Sequence, residues 1–210
     1  VAGTLNSRRH GRLPIGAHEA HPWLIAQIAP DFKLLDAWAL PVEGGPDGFA
    51  ALLDVMASLD ATRAESAPTR ALFLLRRRLG RWFGWDEAAR PRPIPGCTET
   101  TLRARLPREL RGTATGPATG GPFGFKPLYR TASEWAAELS NETVHGVLHL
   151  AWVEQGNDLY RPQMGVYVKP RGRLGAAYLA LIQPFRHLVV YPALMRQIGR
   201  AWSARASSPP

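Results

Sequence analysis

Residues 143–169 read TVHGVLHLAWVEQGNDLYRPQMGVYVK, two strand-like runs joined by a short polar turn. Period two along the first run places Val144, Gly146, Leu148, Leu150 and Trp152 on one face, and along the second it places Pro162, Met164, Val166 and Val168 on one face. Antiparallel pairing through the turn at 154–159 has to join apolar to apolar, because a one-residue slip sends every side chain to the opposite face. The predicted register sets Leu150 opposite Met164, Leu148 opposite Val166 and Gly146 opposite Val168. His145, His149, Arg161, Gln163, Tyr167 and Lys169 then share the other face, which is expected to be polar and partly solvated.

A sheet with one apolar side needs a cover. Downstream, Leu174, Tyr178, Leu181, Phe185, Leu188, Met195 and Trp202 recur in three-and-four spacing, which predicts one long helix laid over that side. Pro184 and Pro192 fall inside it, and since each removes a backbone donor and crowds the preceding turn, the helix should kink or break near one of them.

Upstream, 31–40 reads as a strand with Phe32, Leu34, Trp38 and Leu40 on one face and Asp36 interrupting it. Asp47 can cap a helix over 49–59 that buries Phe49, Leu52, Leu53 and Met56. A second helix over 69–83 sets Leu72, Leu75, Leu79, Trp82 and Phe83 against Arg70, Arg76, Arg77, Arg78 and Arg81. The stretch 98–106 is compatible with a strand or a short helix, 112–122 (GTATGPATGGP) is a loop by composition, and 123–129 reads as a short strand. Thr131 and Glu134 have capping-box spacing, which predicts a helix over 131–140. The resulting class is α+β, an antiparallel sheet gripping a long C-terminal helix. Residues 21–203 form a single domain in this reading, with 1–20 and 204–210 as disordered tails.

Composition narrows the function. A chain of 210 residues can bury a sizeable core. Cys97 is the only cysteine, so intrachain disulfides and CxxC centres are excluded, and a reducing cytoplasm fits best. Gln183, Pro184, Arg186 and His187 interrupt the apolar run at 174–196 well short of the ~20 residues a membrane span needs. The net charge of +9 raises nucleic acid as a partner, but the basic residues are nearly all Arg, with Lys only at 33, 126 and 169, and they are scattered over several regions instead of one stripe. That pattern argues against nucleic-acid binding.

Motifs that carry chemistry are sparse. His18 and His21 flank Glu19 without the HExxH spacing of a zinc protease and read as a surface loop. His145 and His149 would share a metal on a helix, but on a strand four residues span ~13 Å, too far for two ligands of one ion. No metal site is expected. Cys97, near Glu99 and Arg103, sits in polar, basic text that could lower a thiol pKa, or is simply packed. The Gly-rich loop lacks the GK[ST] ending of a phosphate loop, and no cofactor signature, Ser elbow or kinase motif is present.

The segments HPWLIAQIAPDFKLLDAWALP (21–41), ALFLLRRRLGRWFGWD (71–86), IPGCTETTLRARLP (94–107), TVHGVLHLAWV (143–153) and YLALIQPFRHLVVYPALMRQIGRAW (178–202), in this order, resemble the bacterial "domain of unknown function 2867" family. The resemblance implies an architecture similar to the helix-grip folds of the START and polyketide-cyclase-like (SRPBCC) superfamily, in which a curved antiparallel sheet and a long helix enclose an apolar cavity. Five strand candidates are legible here, where such a sheet usually has six or seven.

If a cavity of this kind exists, it should lie between Trp38, Met164, Val166, Tyr178, Leu181 and Phe185, with Asp36, Arg186 and His187 as the polar groups that orient a bound molecule. Arg186 and His187 could instead lie on the outer side of the helix. The expected partner is a small lipophilic or aromatic molecule, held by a binding protein or shaped by a cyclase-like enzyme. A rival reading is a membrane-surface or partner-binding protein that uses the Arg-rich helix at 69–83. Nothing in the sequence fixes an oligomeric state.

Overall fold

The computed structural model describes residues 10–59, 92–114 and 125–206, so the helix expected over 69–83 lies outside the described residues. Within them the hairpin register is as the alternation demanded: Leu150 faces Met164, Leu148 faces Val166, Gly146 faces Val168, and His145 faces Lys169. Asn157 and Asp158 adopt positive φ at the turn and Gly156 precedes them at φ 99°, a conformation that Gly, Asn and Asp tolerate best.

Around this hairpin the described residues build one antiparallel sheet from β1 (Gly11–Arg12), β2 (Lys33–Ala39), β3 (Lys126–Arg130), β4 (Glu134–Ser140), β5 (Val144–Gly156) and β6 (Leu159–Pro170), in the order β1-β2-β6-β5-β4-β3. The helices are α1 (Ile15–Glu19), α2 (Leu24–Ile28), α3 (Gly48–Ser58) and a C-terminal run of α4 (Gly172–Phe185), a π-helical turn (Arg186–Val190) and α5 (Tyr191–Ala206). The fold is α+β and helix-grip-like, as expected. Among these residues no helix is long and apolar enough to cross a membrane.

The segment 131–140 is a correction. It carries strand β4 instead of a helix, with Trp135 and Ala137 alternating into one core and Ala136 into the other. Thr131 Oγ1 does accept from Glu134 N at 2.9 Å, the bond of a helix cap. Here, however, Thr131 N also donates to Glu134 O at 2.8 Å, which closes a hairpin between β3 and β4. One side-chain bond serves two local structures, and pairing with β5 decides between them.

The sheet is covered on both faces. On the lid side Leu150, Trp152 and Met164 pack with Phe49, Leu52 and Leu53 of α3 and with Tyr191, Met195 and Ile198 of α5. The opposite face, expected to be partly solvated, is a second core in which Val147, Ala151, Val153 and Tyr167 lie under Ile25, Ile28, Phe32, Ile94 and Leu102. Residues 10–20, read as tail, contribute to it: β1 pairs with β2, and His18 of α1 is fully buried. The reading of β2 as one apolar face also fails, because a bulge between Leu34 and Asp36 inverts the phase. Phe32 and Leu34 enter the second core, whereas Trp38 and Leu40 join the lid-side core.

The lid helix departs from its sequence pattern in the same manner. Pro184 has no N–H to bond back one turn, and the turn that follows is π-helical. A widened turn retards the phase of everything downstream by roughly one residue, ~100°. Tyr191, Met195 and Ile198 face the sheet, while Leu174, Leu181 and Leu188 are 85%, 78% and 77% exposed. Only α5 is a lid. At its start α4 touches the sheet through Gly175, where an added Cβ would lie 2.1 Å from the Thr143 carbonyl oxygen. Arg171 fixes that departure point by donating to Asn141 O (2.7 Å), Pro93 O (2.6 Å) and Ser140 Oγ (2.8 Å).

Candidate functional site

Asp36 is fully buried, and a bare carboxylate there is costly unless donors surround it. Three do. His187 Nε2 lies 2.6 Å from Oδ1, the Tyr191 hydroxyl donates to Oδ2 at 2.8 Å, and Arg186 Nη2 is bonded to Oδ2. Because a carboxylate only accepts, the His187 ring donates to it from Nε2. Burial, with the Asp36 charge beside it, pushes the Tyr191 phenol far up. The bulge in β2 aims Asp36 at this face, and the π turn presents Arg186 and His187 to it. Two backbone irregularities thus meet at one ion cluster.

Trp38, two residues along β2, packs its ring 4.7 Å from Tyr191 and 6.3 Å from His187. Beside it a cleft of about 700 Å³ opens between the β1–β2 edge and α5, lined by His10, Gly11, Trp38, Pro41, Pro192, Met195, Arg196, Gly199, Arg200 and Ser203. Trp38 Nε1 and Arg186 Nε are buried without a hydrogen-bond partner among the described residues.

Of the nine predicted site residues, the structure brings Asp36, Trp38, Arg186 and His187 together. Val166 lies opposite Asp36 in the β2–β6 register and is half-buried, and Met164 is packed in the lid-side core. Tyr178 and Phe185 are half-buried on α4, and Leu181 points to solvent.

The second face holds polar groups that sequence reading placed on a surface. Glu134 accepts from Tyr129 OH (3.1 Å) and Leu24 N (3.1 Å) and meets His149 Nε2 at 3.1 Å; His149 Nδ1 in turn lies 3.4 Å from His18 Nε2, and His18 Nδ1 is 2.7 Å from Gln163 Oε1. Burial pushes His18 down to about 4 and lowers His149 as well. Burial alone would raise Glu134, but its bonds from His149, Leu24 and Tyr129 hold it below the usual carboxylate range. Gly165, directly across from His149, makes room for this chain, since a Cβ there would sit 2.8 Å from His18 Nε2. His145, also fully buried, binds Glu138 at 3.0 Å.

Around Cys97 the basic partners are Arg105 and Lys169, not Arg103. Arg105 Nη2 is 3.2 Å and Lys169 Nζ 3.8 Å from the sulfur, while the Arg103 guanidinium donates to Pro127 O. Both cations also bind Asp31, at 2.6 and 2.5 Å, and although burial opposes it they hold that carboxyl well below its usual range. No group of three or more His, Cys, Asp or Glu that could hold a metal ion occurs among the described residues.

Fold and site together define a helix-grip-like α+β protein with a buried ion cluster beside an open cleft. A family model described as "Protein of unknown function (DUF2867)" matches residues 28–193, and the chain belongs to that family. No curated protein and no solved structure matches the chain.

Proposed function

We propose that this protein binds a small lipophilic or aromatic molecule in the cleft beside Trp38. The reading rests on one observation: an opening of about 700 Å³, within the ~300 to 1,000 Å³ of small-molecule sites, with Trp38, Pro41, Pro192 and Met195 as apolar walls and a few polar groups at its rim. The cluster of Asp36, Arg186, His187 and Tyr191 supports it by fixing Trp38 and the start of α5 in place. Cyclase-like chemistry would require enclosure of the substrate, and this cleft is open to solvent; binding is therefore the role proposed.

Gly199 offers a clean test. A Cβ there would meet Pro41 at an ordinary 3.5 Å, so Gly199→Leu should place its bulk in the cleft without disturbing the core. Nile red fluorescence should rise with the parent protein and fail to rise with Gly199→Leu, whose melting temperature should be no lower than the parent's because a helical glycine has been replaced. Equal dye binding by the two would sink the assignment.

A second reading draws on α4. Its solvent side presents Leu174 and Leu181, the π turn after it adds Leu188, and no Asp or Glu follows Asp158 in the chain, which suits docking on an anionic bilayer surface. Co-sedimentation with phosphatidylglycerol vesicles that is lost in Leu181→Asp would support it.

A further inference from the structure

On the second face two fully buried imidazoles, His18 of α1 and His149 of β5, meet in a way that their other partners define. Glu134 only accepts, so His149 donates to it from Nε2 (3.1 Å), and Gln163 Oε1, also an acceptor, takes the proton on His18 Nδ1 (2.7 Å). Burial keeps both rings neutral, so each has one proton and that proton is already placed. The remaining nitrogens, His149 Nδ1 and His18 Nε2, carry lone pairs and face each other at 3.4 Å. This gap is longer than the ~2.7 to 3.2 Å of a well-formed bond from nitrogen and too short for a bridging water, which needs ~4.5 Å. It matches the ~3.3 to 3.6 Å that metal–nitrogen bonds of ~2.0 to 2.1 Å impose on two ligands at tetrahedral to trigonal angles. Behind each ring an oxygen orients the far nitrogen, as the outer partners of metal-bound imidazoles do.

Charge and ligand number select the ion. Glu134 is bonded to His149, Leu24 N and Tyr129 and to no Lys or Arg among the described residues, so with both imidazoles neutral the cluster holds one negative charge. A monovalent ion between the rings balances it, whereas a divalent one leaves a net positive charge in the core. Glu134 and Gln163 occupy the far nitrogens and do not act as ligands, so the protein supplies two, and zinc, which takes four, does not fit. Trp23, 5.5 Å from each imidazole, and Tyr167, 6.2 Å from each, wall the pair with aromatic carbon. Gly165 keeps the flank of His18 Nε2 clear, since a Cβ there would lie 2.8 Å from it. From this arrangement we infer that His18 and His149 form a binding site for a copper(I) ion, which accepts imidazole nitrogen at low coordination number. The strand spacing that keeps His145 and His149 from sharing an ion leaves His149 to find its partner on α1.

The experiment titrates copper(I), kept reduced with ascorbate under argon, into the full chain carrying Cys97→Ser, which removes the one thiol that would compete for a soft ion. Competition with bicinchoninate should give one ion per chain, and the melting temperature should rise with occupancy. X-ray absorption at the copper edge should show two imidazole nitrogens and no sulfur. His18→Gln should weaken binding by roughly a hundredfold or more and abolish the rise in melting temperature, while Glu134→Gln, which keeps both ligands but loosens His149, should weaken it by ~10 to 100-fold. No bound copper, copper ligated by sulfur, or affinity unchanged in His18→Gln would overturn the site and leave the 3.4 Å contact as a long hydrogen bond between imidazoles. The absorption spectrum is read on the chain with both histidines in place, so it decides the matter even where His18→Gln does not fold.

Discussion

Acidification should loosen the N-terminal segment through His18. Its imidazole is fully buried between Gln163 and His149, and burial holds it neutral down to about pH 4, whereas the unfolded chain takes up that proton near 6.5. Between those values the unfolded state binds more protons than the folded one, so stability is complete above about pH 6.5 and is lost as pH falls toward 4. The interval corresponds to ~3 kcal/mol in all, of which ~2.4 kcal/mol should disappear between pH 7 and pH 4.5. For a chain of this size that amounts to ~5 to 10 °C in melting temperature. Urea unfolding of the parent and of His18→Gln at both pH values isolates the effect. Any constant loss caused by the substitution cancels in the difference, and His149 and Glu134 titrate in both proteins. The variant should lose ~2.4 kcal/mol less than the parent over this range. Equal losses would show that His18 is protonated in the folded protein and that its hydrogen bonds, not its neutrality, define the site.

Three substitutions probe the rest of the frame. Asp36→Asn should destabilise by ~3 to 5 kcal/mol in denaturant melts, because Arg186 would keep its charge half-buried with its carboxylate gone; a loss under ~1 kcal/mol would mean that the cluster is solvated. Gly165→Ala should cost ~1 to 3 kcal/mol, since its Cβ would press on His18 at 2.8 Å and on the Tyr167 ring at 3.1 Å; a neutral outcome would place His18 elsewhere. Gly199→Ala should raise stability by ~1 kcal/mol, because the position lies inside α5 with ordinary contacts to Pro41; a fall in melting temperature would mean that this part of the helix is not formed as described.

The hairpin of β5 and β6 was legible to the residue because its alternation is long and unbroken, so only one register buries the apolar set. Other elements failed where a single residue changed the phase. The bulge at Leu35 and the π turn after Pro184 each insert about one position, and a periodic reading carried across them assigns the downstream side chains to the wrong face. Pro184 was a visible warning of a break, but a helix can answer a missing N–H by kinking, ending or widening, and the choice depends on what the next turn packs against. Here the turn is widened, and Tyr191, the first residue after it, donates to Asp36.

The same contrast divides the site. Asp36 stood out as a lone carboxylate in an apolar strand, and Arg186 with His187 as charges in an apolar helix; each is too costly to bury alone, so their meeting across 150 residues follows from the cost of leaving any of them unpaired. His18 gave no comparable sign, because a histidine between Pro14 and Pro22 is inexpensive in a solvated loop. The usable trace of its burial lay elsewhere, in Gly165. A glycine in the interior of a strand weakens that strand unless something must approach the backbone closely. Between Met164 and Val166 and across from His149, Gly165 leaves space for one ring, and the nearest side chain to that space is the imidazole of His18. The gap in β6 was therefore the part of the Gln163–His18–His149–Glu134 chain written in the sequence, while the group that fills it is fixed only by tertiary structure.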